Sequence, residues 1–308
     1  MLRCSLIARL VIVLGVGALA ALVPTGASGQ ELGQLYVEAL DAAGLPIADL
    51  TAADFTVTEN GMSATVVSAE LDDTPMGIAL MAANGAIVQE MNGINAVRSG
   101  LNAFLETLPP QHEISLFSIG RNIRRRVELT ADRDELKDGV VSIDATPRSN
   151  TILLDGLKET WEEQFEDDVT FPVFVLLLTD GEEGSRSYND EEFNELIDIL
   201  INNGVTVHTV MLSRRGLSAR QRCSRCVTDY APTLTQYGGG IYEEISRPVE
   251  FSQALTTIAT RMGEHFDQIS NRYRVVYEKS APPGAQISLQ LGRSGATASL
   301  FASRRMPQ

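Results

Sequence analysis

The chain has 308 residues and a mass of 33.4 kDa, and 44% of it is hydrophobic, enough for one sizeable α/β domain and a smaller appendage. Lys and Arg number 25 against 40 Asp and Glu, a net charge of -15 that argues against nucleic acid or anionic membrane surfaces as partners.

Residues 1–29 read as a signal peptide. Arg3 and Arg9 give a basic start, Leu10 to Val23 an apolar core, and Ala27-Ser-Gly29 the small residues of a cleavage site. Cleavage leaves Gln30 as the new amino terminus, and retention as a membrane anchor is the alternative. No second long apolar segment follows. The mature chain is therefore expected to be exported, periplasmic or secreted, without a stable membrane span.

The remaining elements fall in order. Residues 30–74 form a β segment: Leu35 to Leu40 is a strand, Ala43-Gly-Leu-Pro46 a turn, and Asn60-Gly61 joins Phe55–Glu59 to Ala64–Val67 as a hairpin. Such a hairpin is not stable alone. Its expected partner is the segment 270–308, where Tyr273–Tyr277, Gln286–Leu291 and Ala296–Phe301 again read as strands.

Residues 75–269 alternate strand and helix. Met76–Met81 is an apolar strand, and one helical stripe runs through Gln89–Leu108. Glu113–Ser118 and Arg124–Leu129 are joined by so short a link that they must be antiparallel, with the second at the sheet edge. Arg124-Arg-Arg126 then reads as a solvated edge and not as a binding patch. A short helix at 132–141 and a helix carrying Leu153, Leu157, Trp161 and Phe165 come next. Pro172–Thr179 is a continuous apolar run suited to a strand buried on both faces, and it ends in Asp180-Gly181. A helix with Phe193, Leu196, Ile197, Leu200 and Ile201 ends at Gly204. Strand 205–212, a helix near 229–237, strand 238–245 and helix Val249–Ile269 complete a doubly wound, mostly parallel six-stranded sheet.

Few residues carry chemistry. His208 lies in a buried-looking strand and reads as a hydrogen-bonded structural residue. No Gly-rich phosphate loop follows the first strand of the sheet, and no Gly-x-Ser-x-Gly elbow occurs, so no enzyme activity is expected. After loss of Cys4 the cysteines are Cys223-Ser-Arg-Cys226, a spacing shared by redox motifs and half zinc sites. His112, His208 and His265 are too scattered to complete a zinc site. A local disulfide inside the Arg-rich loop Ser213–Arg222 is expected in an oxidising compartment, with a thiol-disulfide redox protein as the alternative.

Leu176-Leu-Leu-Thr-Asp-Gly181, Thr151 followed by Leu154-Asp-Gly-Leu157, Gly204-Val-Thr-Val-His-Thr-Val210, and Leu234 with Gly239-Gly-Ile-Tyr242 resemble, in order and spacing, the von Willebrand factor type A domains of exported bacterial proteins. The resemblance spans roughly residues 75–265, and 45–61 resembles the segment that precedes the domain in those proteins. It implies a metal-ion-dependent adhesion site (MIDAS) built from three loops: Asp-x-Ser-x-Ser, a Thr and an Asp. Thr151 and Asp180 match the second and third. The first loop departs from the pattern, with Ala82 for the Asp, Asn84 for the first Ser and Ala86 for the second. Two methyl groups and an amide replace three oxygen ligands, so no cofactor is expected, and magnesium or manganese only through an altered site of Asn84, Thr151 and Asp180 aided by Glu182 or Glu183. The resemblance implies a non-enzymatic protein-binding or adhesion module that works without metal, with a metal-dependent adhesion module as the alternative.

Overall fold

A computed structural model describes residues 31–166, 171–186, 189–214, 223, 225–281 and 284–301. The expected leader at 1–29, Gln30 and most of the Arg-rich loop lie outside them. Thirteen strands are described: β1 (Leu32–Leu40), β2 (Phe55–Glu59), β3 (Met62–Ala64), β4 (Val66–Leu71), β5 (Gly77–Ala83), β6 (Glu113–Ile119), β7 (Ile123–Thr130), β8 (Pro172–Thr179), β9 (Thr206–Leu212), β10 (Tyr242–Ile245), β11 (Arg272–Glu278), β12 (Ile287–Leu291) and β13 (Thr297–Phe301). The described helices are α1 (Ala86–Glu90), α2 (Ile94–Thr107), α3 (Arg133–Val141), α4 (Leu153–Thr160), α5 (Asp190–Asn202), α6 (Val227–Gly238) and α7 (Phe251–Ile269).

The large sheet has the order β10-β9-β8-β5-β6-β7, parallel throughout except for the β6–β7 pair at one edge. Every residue of β5, β8 and β9 is buried, which is why β5 and β8 read as apolar runs, while β9 buries Thr206, His208 and Thr209 among its apolar residues. Helices α2, α3 and α7 cover one face, with Leu101, Phe104, Leu136, Phe251 and Ile258 in its core. Helices α4, α5 and α6 cover the other, around Leu157, Phe174, Leu196 and Leu234. Each such side chain contributes roughly 1.5–3 kcal/mol through removal from water. The strand order reverses between β5 and β8, so the loops after these two strands diverge to opposite faces and leave a crevice at the carboxyl edge.

The two ends of the described chain pair with each other. β1 lies between β13 and β11 in the sheet β13-β1-β11-β4, and β12-β2-β3 forms a second sheet against it. Val37, Phe55, Val57, Tyr273 and Val275 fill the space between them. Asn60 and Gly61 turn the β2–β3 hairpin with φ of 49° and 81°, the left-handed pair that a tight two-residue hairpin requires. Tyr273 fastens the preceding loop: its Oη donates to Ile47 O at 2.9 Å and accepts from Leu50 N at 2.9 Å. By contact, the described residues from Leu32 onward make one compact unit.

Four expected boundaries shift. The stripe 89–108 is two helices, α1 and α2, because Asn92 adopts a φ of 50° and Gly93 follows it. The hairpin's return strand ends at Ala64, and the next residues form β4 in the other sheet. The strand expected from 238 begins at Tyr242, since Gly238 closes α6 and Gly239, at φ 64°, supplies its left-handed cap. The helical stripe through Trp161 and Phe165 continues from α4 as a π turn, Trp161–Phe165.

Candidate functional site

The loops after β5 and β8 and the loop entering α4 meet at the carboxyl edge. Ala86 N donates to Ser149 O at 3.1 Å, Thr151 N donates to Glu182 O at 3.2 Å, and Gly184 N donates to Thr151 O at 2.8 Å. The expected site residues are therefore neighbours, but they do not converge on one point. Ala82 is fully buried near the end of β5. Ala86 and Thr151 line a cavity of about 50 Å³, whereas Asn84 faces a separate cleft of about 330 Å³. Asn84 Nδ2 donates to Asp144 O at 2.6 Å and Thr146 Oγ1 at 3.1 Å. Gly120 makes room for this amide, because a Cβ there would lie 2.5 Å from Asn84 Oδ1.

Asp180 lines neither cavity. Its carboxylate, 0% exposed, turns toward β9, where Oδ2 accepts from Arg214 N at 2.7 Å and Oδ1 accepts from Arg214 Nε at 3.1 Å. Arg214, 33% exposed, also reaches Glu90 Oε2 at 3.4 Å, so its guanidinium bridges the end of α1 and the loop that follows β8. The parallel register explains the meeting: Thr179 pairs with Leu212, and Asp180 N donates to Leu212 O at 3.1 Å, so Arg214 leaves β9 beside Asp180. Sequence reasoning missed Arg214. Its signal was two adjacent parallel strand ends, one followed by an acid and the other by a base.

Glu183 does not swing toward Asp180. It is buried, and its Oε1 accepts from Leu153 N at 3.0 Å, Leu154 N at 3.5 Å and Ser185 Oγ at 2.5 Å, at the positive amino end of α4. Arg225 Nη2 donates to Glu183 Oε2 at 3.0 Å and to Ser185 O at 2.6 Å. Arg225 itself sits within the ring closed by a disulfide between Cys223 and Cys226, whose Cα atoms are 5.5 Å apart. Cys223 and Cys226 lie in the loop before α6, as expected, and Cys226 is buried and caps α6, with its N–H donating to Asp229 Oδ2 at 2.9 Å. Disulfide, Arg225, Glu183 and α4 thus form one chain of contacts beneath the site.

His208 is a structural residue: it is buried, and its Nδ1 accepts from Ile241 N at 3.2 Å. Burial, reinforced by nearby His265, pushes it down to about 3. Among the described residues no group of three or more His, Cys, Asp or Glu is placed to hold a metal.

No family model and no curated protein matches this sequence. Solved structures do: the von Willebrand factor type A protein of Catenulispora acidiphila aligns with a TM-score of 0.52 at 11% identity, over 89% of this chain and 72% of that one. This chain has the von Willebrand factor type A fold. Proximal thread matrix protein 1 from the mussel byssus, solved with a zinc-occupied MIDAS motif, aligns with a TM-score of 0.50 at 12% identity over 68% of this chain. The match spans half the length of that mussel protein. In this type A fold, Asp180 and Thr151 stand at the carboxyl edge, with Arg214 against the Asp180 carboxylate.

Proposed function

We propose that this chain is a non-enzymatic, extracytoplasmic protein-binding module that takes its partner on the loops at the carboxyl edge of the large sheet, without a metal ion. The observation that carries this reading is the Arg214 guanidinium on Asp180. Magnesium needs a near-octahedral shell of oxygens. Ala82 and Ala86 offer methyl groups, the Asn84 amide nitrogen is bound to Asp144 O and Thr146, and Asp180 is already matched by a fixed cation. These residues do not fit a divalent ion. Arg214 does the positional work that an ion would do, joining α1 and the β8 loop from a third element.

The disulfide supports an oxidising compartment, and the basic, apolar start of the sequence supports export. Among the described residues no helix is long and apolar enough to cross a membrane.

Cross-linking in the native envelope, with and without chelator, tests the reading together with thermal melts in magnesium and manganese. The expected result is one captured partner set, unchanged by chelation, and a melting temperature that neither ion raises. A bound ion at a hundredfold excess over its Kd would add about 2.7 kcal/mol of stability. A rise of that size, or capture abolished by chelator, overturns the metal-free reading.

A further inference from the structure

The cleft of about 330 Å³ opens on the same edge as the site, between the end of β5, the β6–β7 turn and residues Thr146 and Pro147. Its volume falls at the lower end of the roughly 300–1,000 Å³ of ligand sites. Polar groups line it: Asn84, Ser118, Asn122 and Thr146, together with the guanidinium-bearing side chains of Arg121 and Arg124. The neighbouring basic side chains are engaged. Arg98 pairs with Asp144 at 2.8 Å, Arg125 with Glu128 at 3.0 Å and Glu163 at 3.7 Å, and Arg126 Nε donates to Ser118 Oγ at 2.9 Å.

Arg121 and Arg124 differ from these. Both are exposed, and neither meets a carboxylate within ion-pair distance among the described residues. Arg126 adds to the field, its own pKa lowered by burial and then by the nearby Arg124 charge. On a chain of net charge -15, two uncompensated guanidinium groups at the mouth of a polar cleft are a local reversal of sign. A planar guanidinium suits a carboxylate, which it binds through two parallel N–H···O contacts. Asp144, which touches the cleft-lining Asn84 through its main-chain O, does not fill the role, because its carboxylate is bound to Arg98.

We propose that this cleft receives a carboxylate side chain from an acidic segment of the protein partner, held between Arg121 and Arg124. The inference rests on the protein-binding reading above and names the chemistry of what is bound. The partner's carboxylate would meet arginines here, about one loop away from Asp180, instead of a metal ion. The β7 edge that the sequence suggested was merely solvated would then be part of the binding face.

A labelled hexaglutamate peptide, followed by fluorescence anisotropy against the intact exported protein at low ionic strength, tests it. The expected result is saturable binding that weakens about tenfold or more in Arg121→Ala/Arg124→Ala and is unchanged in Arg125→Ala. Thermal melts of the variants confirm that the fold is retained, and Arg121→Lys/Arg124→Lys should recover part of the loss. Wild-type protein that ignores hexaglutamate, or a double alanine variant that binds it as wild type does, overturns the proposal. Inorganic phosphate that occupies the cleft and is not displaced by the peptide overturns it as well, in favour of a free anion. Envelope cross-linking separates this inference from the one it rests on. Partner capture retained in the double variant ends the cleft assignment alone, whereas wild type that captures nothing yet binds hexaglutamate ends the partner reading alone.

Discussion

At the scale of the residue, Asp180 and Arg214 dominate the site. Burying a carboxylate at 0% exposure is costly without a compensating charge, and Arg214 supplies one through Nε while its main-chain N–H supplies a second bond. Removing one partner of a buried pair typically costs 3–5 kcal/mol. Arg214→Ala keeps the main-chain bond and vacates a side chain that is one-third exposed, so a loss of about 3 kcal/mol is expected, at the low end of that range. Urea unfolding of Arg214→Ala, Asp180→Ala and the double variant measures it. The double variant should be more stable than the sum of the singles predicts, because it leaves no orphaned charge. Equal additivity would mean that the two groups do not sense each other. Asp180 was conspicuous in the sequence because it ends an apolar run. Its partner was not, since Arg214 lies 34 residues on and becomes a neighbour only through strand register.

At the scale of the element, α4 shows how a helix can be visible while the contact that starts it is hidden. Leu153 and Leu157 mark its apolar stripe, but Ile152 offers no capping side chain, and the acceptor for Leu153 N–H is Glu183, 30 residues away. Glu183→Ala would leave the Leu153 and Leu154 N–H groups without their acceptor and take the carboxylate away from Arg225, which keeps Ser185 O, for a loss of about 3 kcal/mol by denaturant midpoint. Opening the disulfide acts on the same chain of contacts. Cys223→Ser/Cys226→Ser should cost about 2 kcal/mol from the entropy of so short a loop. Combined with Glu183→Ala it should cost less than the sum, because both changes act through Arg225. Full additivity in the double-mutant cycle would separate the disulfide from α4. The order of strands and helices in the large sheet was legible because parallel strands buried on both faces leave unbroken apolar runs. The break between α1 and α2 was less so, because it depends on Asn92 adopting a left-handed conformation within a stripe that continues past it.

At the scale of the whole molecule, two buried imidazoles set a response to acid. Burial, with the Arg133 charge beside it, holds His112 at about 4, and burial with His265 nearby holds His208 at about 3. Each Nδ1 accepts a main-chain N–H, from Met76 at 3.2 Å and from Ile241 at 3.2 Å, so the neutral ring is the one the fold requires. In the unfolded chain both protonate near 6.5. Below that pH the unfolded state binds more protons, so stability present above 6.5 is lost as pH falls toward 4 and then 3. Each histidine removes about 1.4 kcal/mol per pH unit across its window. Urea midpoints measured through this range should fall with acid, and His112→Asn, whose amide oxygen can still accept from Met76, should flatten the slope by one histidine's share. A slope unaffected by that substitution would assign the acid response elsewhere. The pairing of the two ends of the described chain has a consequence of another kind, for the order of folding. Tyr273 secures Leu50 across 223 residues, and β1 must find β11 on the far side of the whole large sheet. Closing so long a loop is slow compared with forming neighbouring βα units. During synthesis, the large sheet can assemble as it emerges, while β1 waits unpaired until β11 and β13 arrive. The small β layer is then the final lock on the fold, and the first part that a truncation near the carboxyl end would leave open.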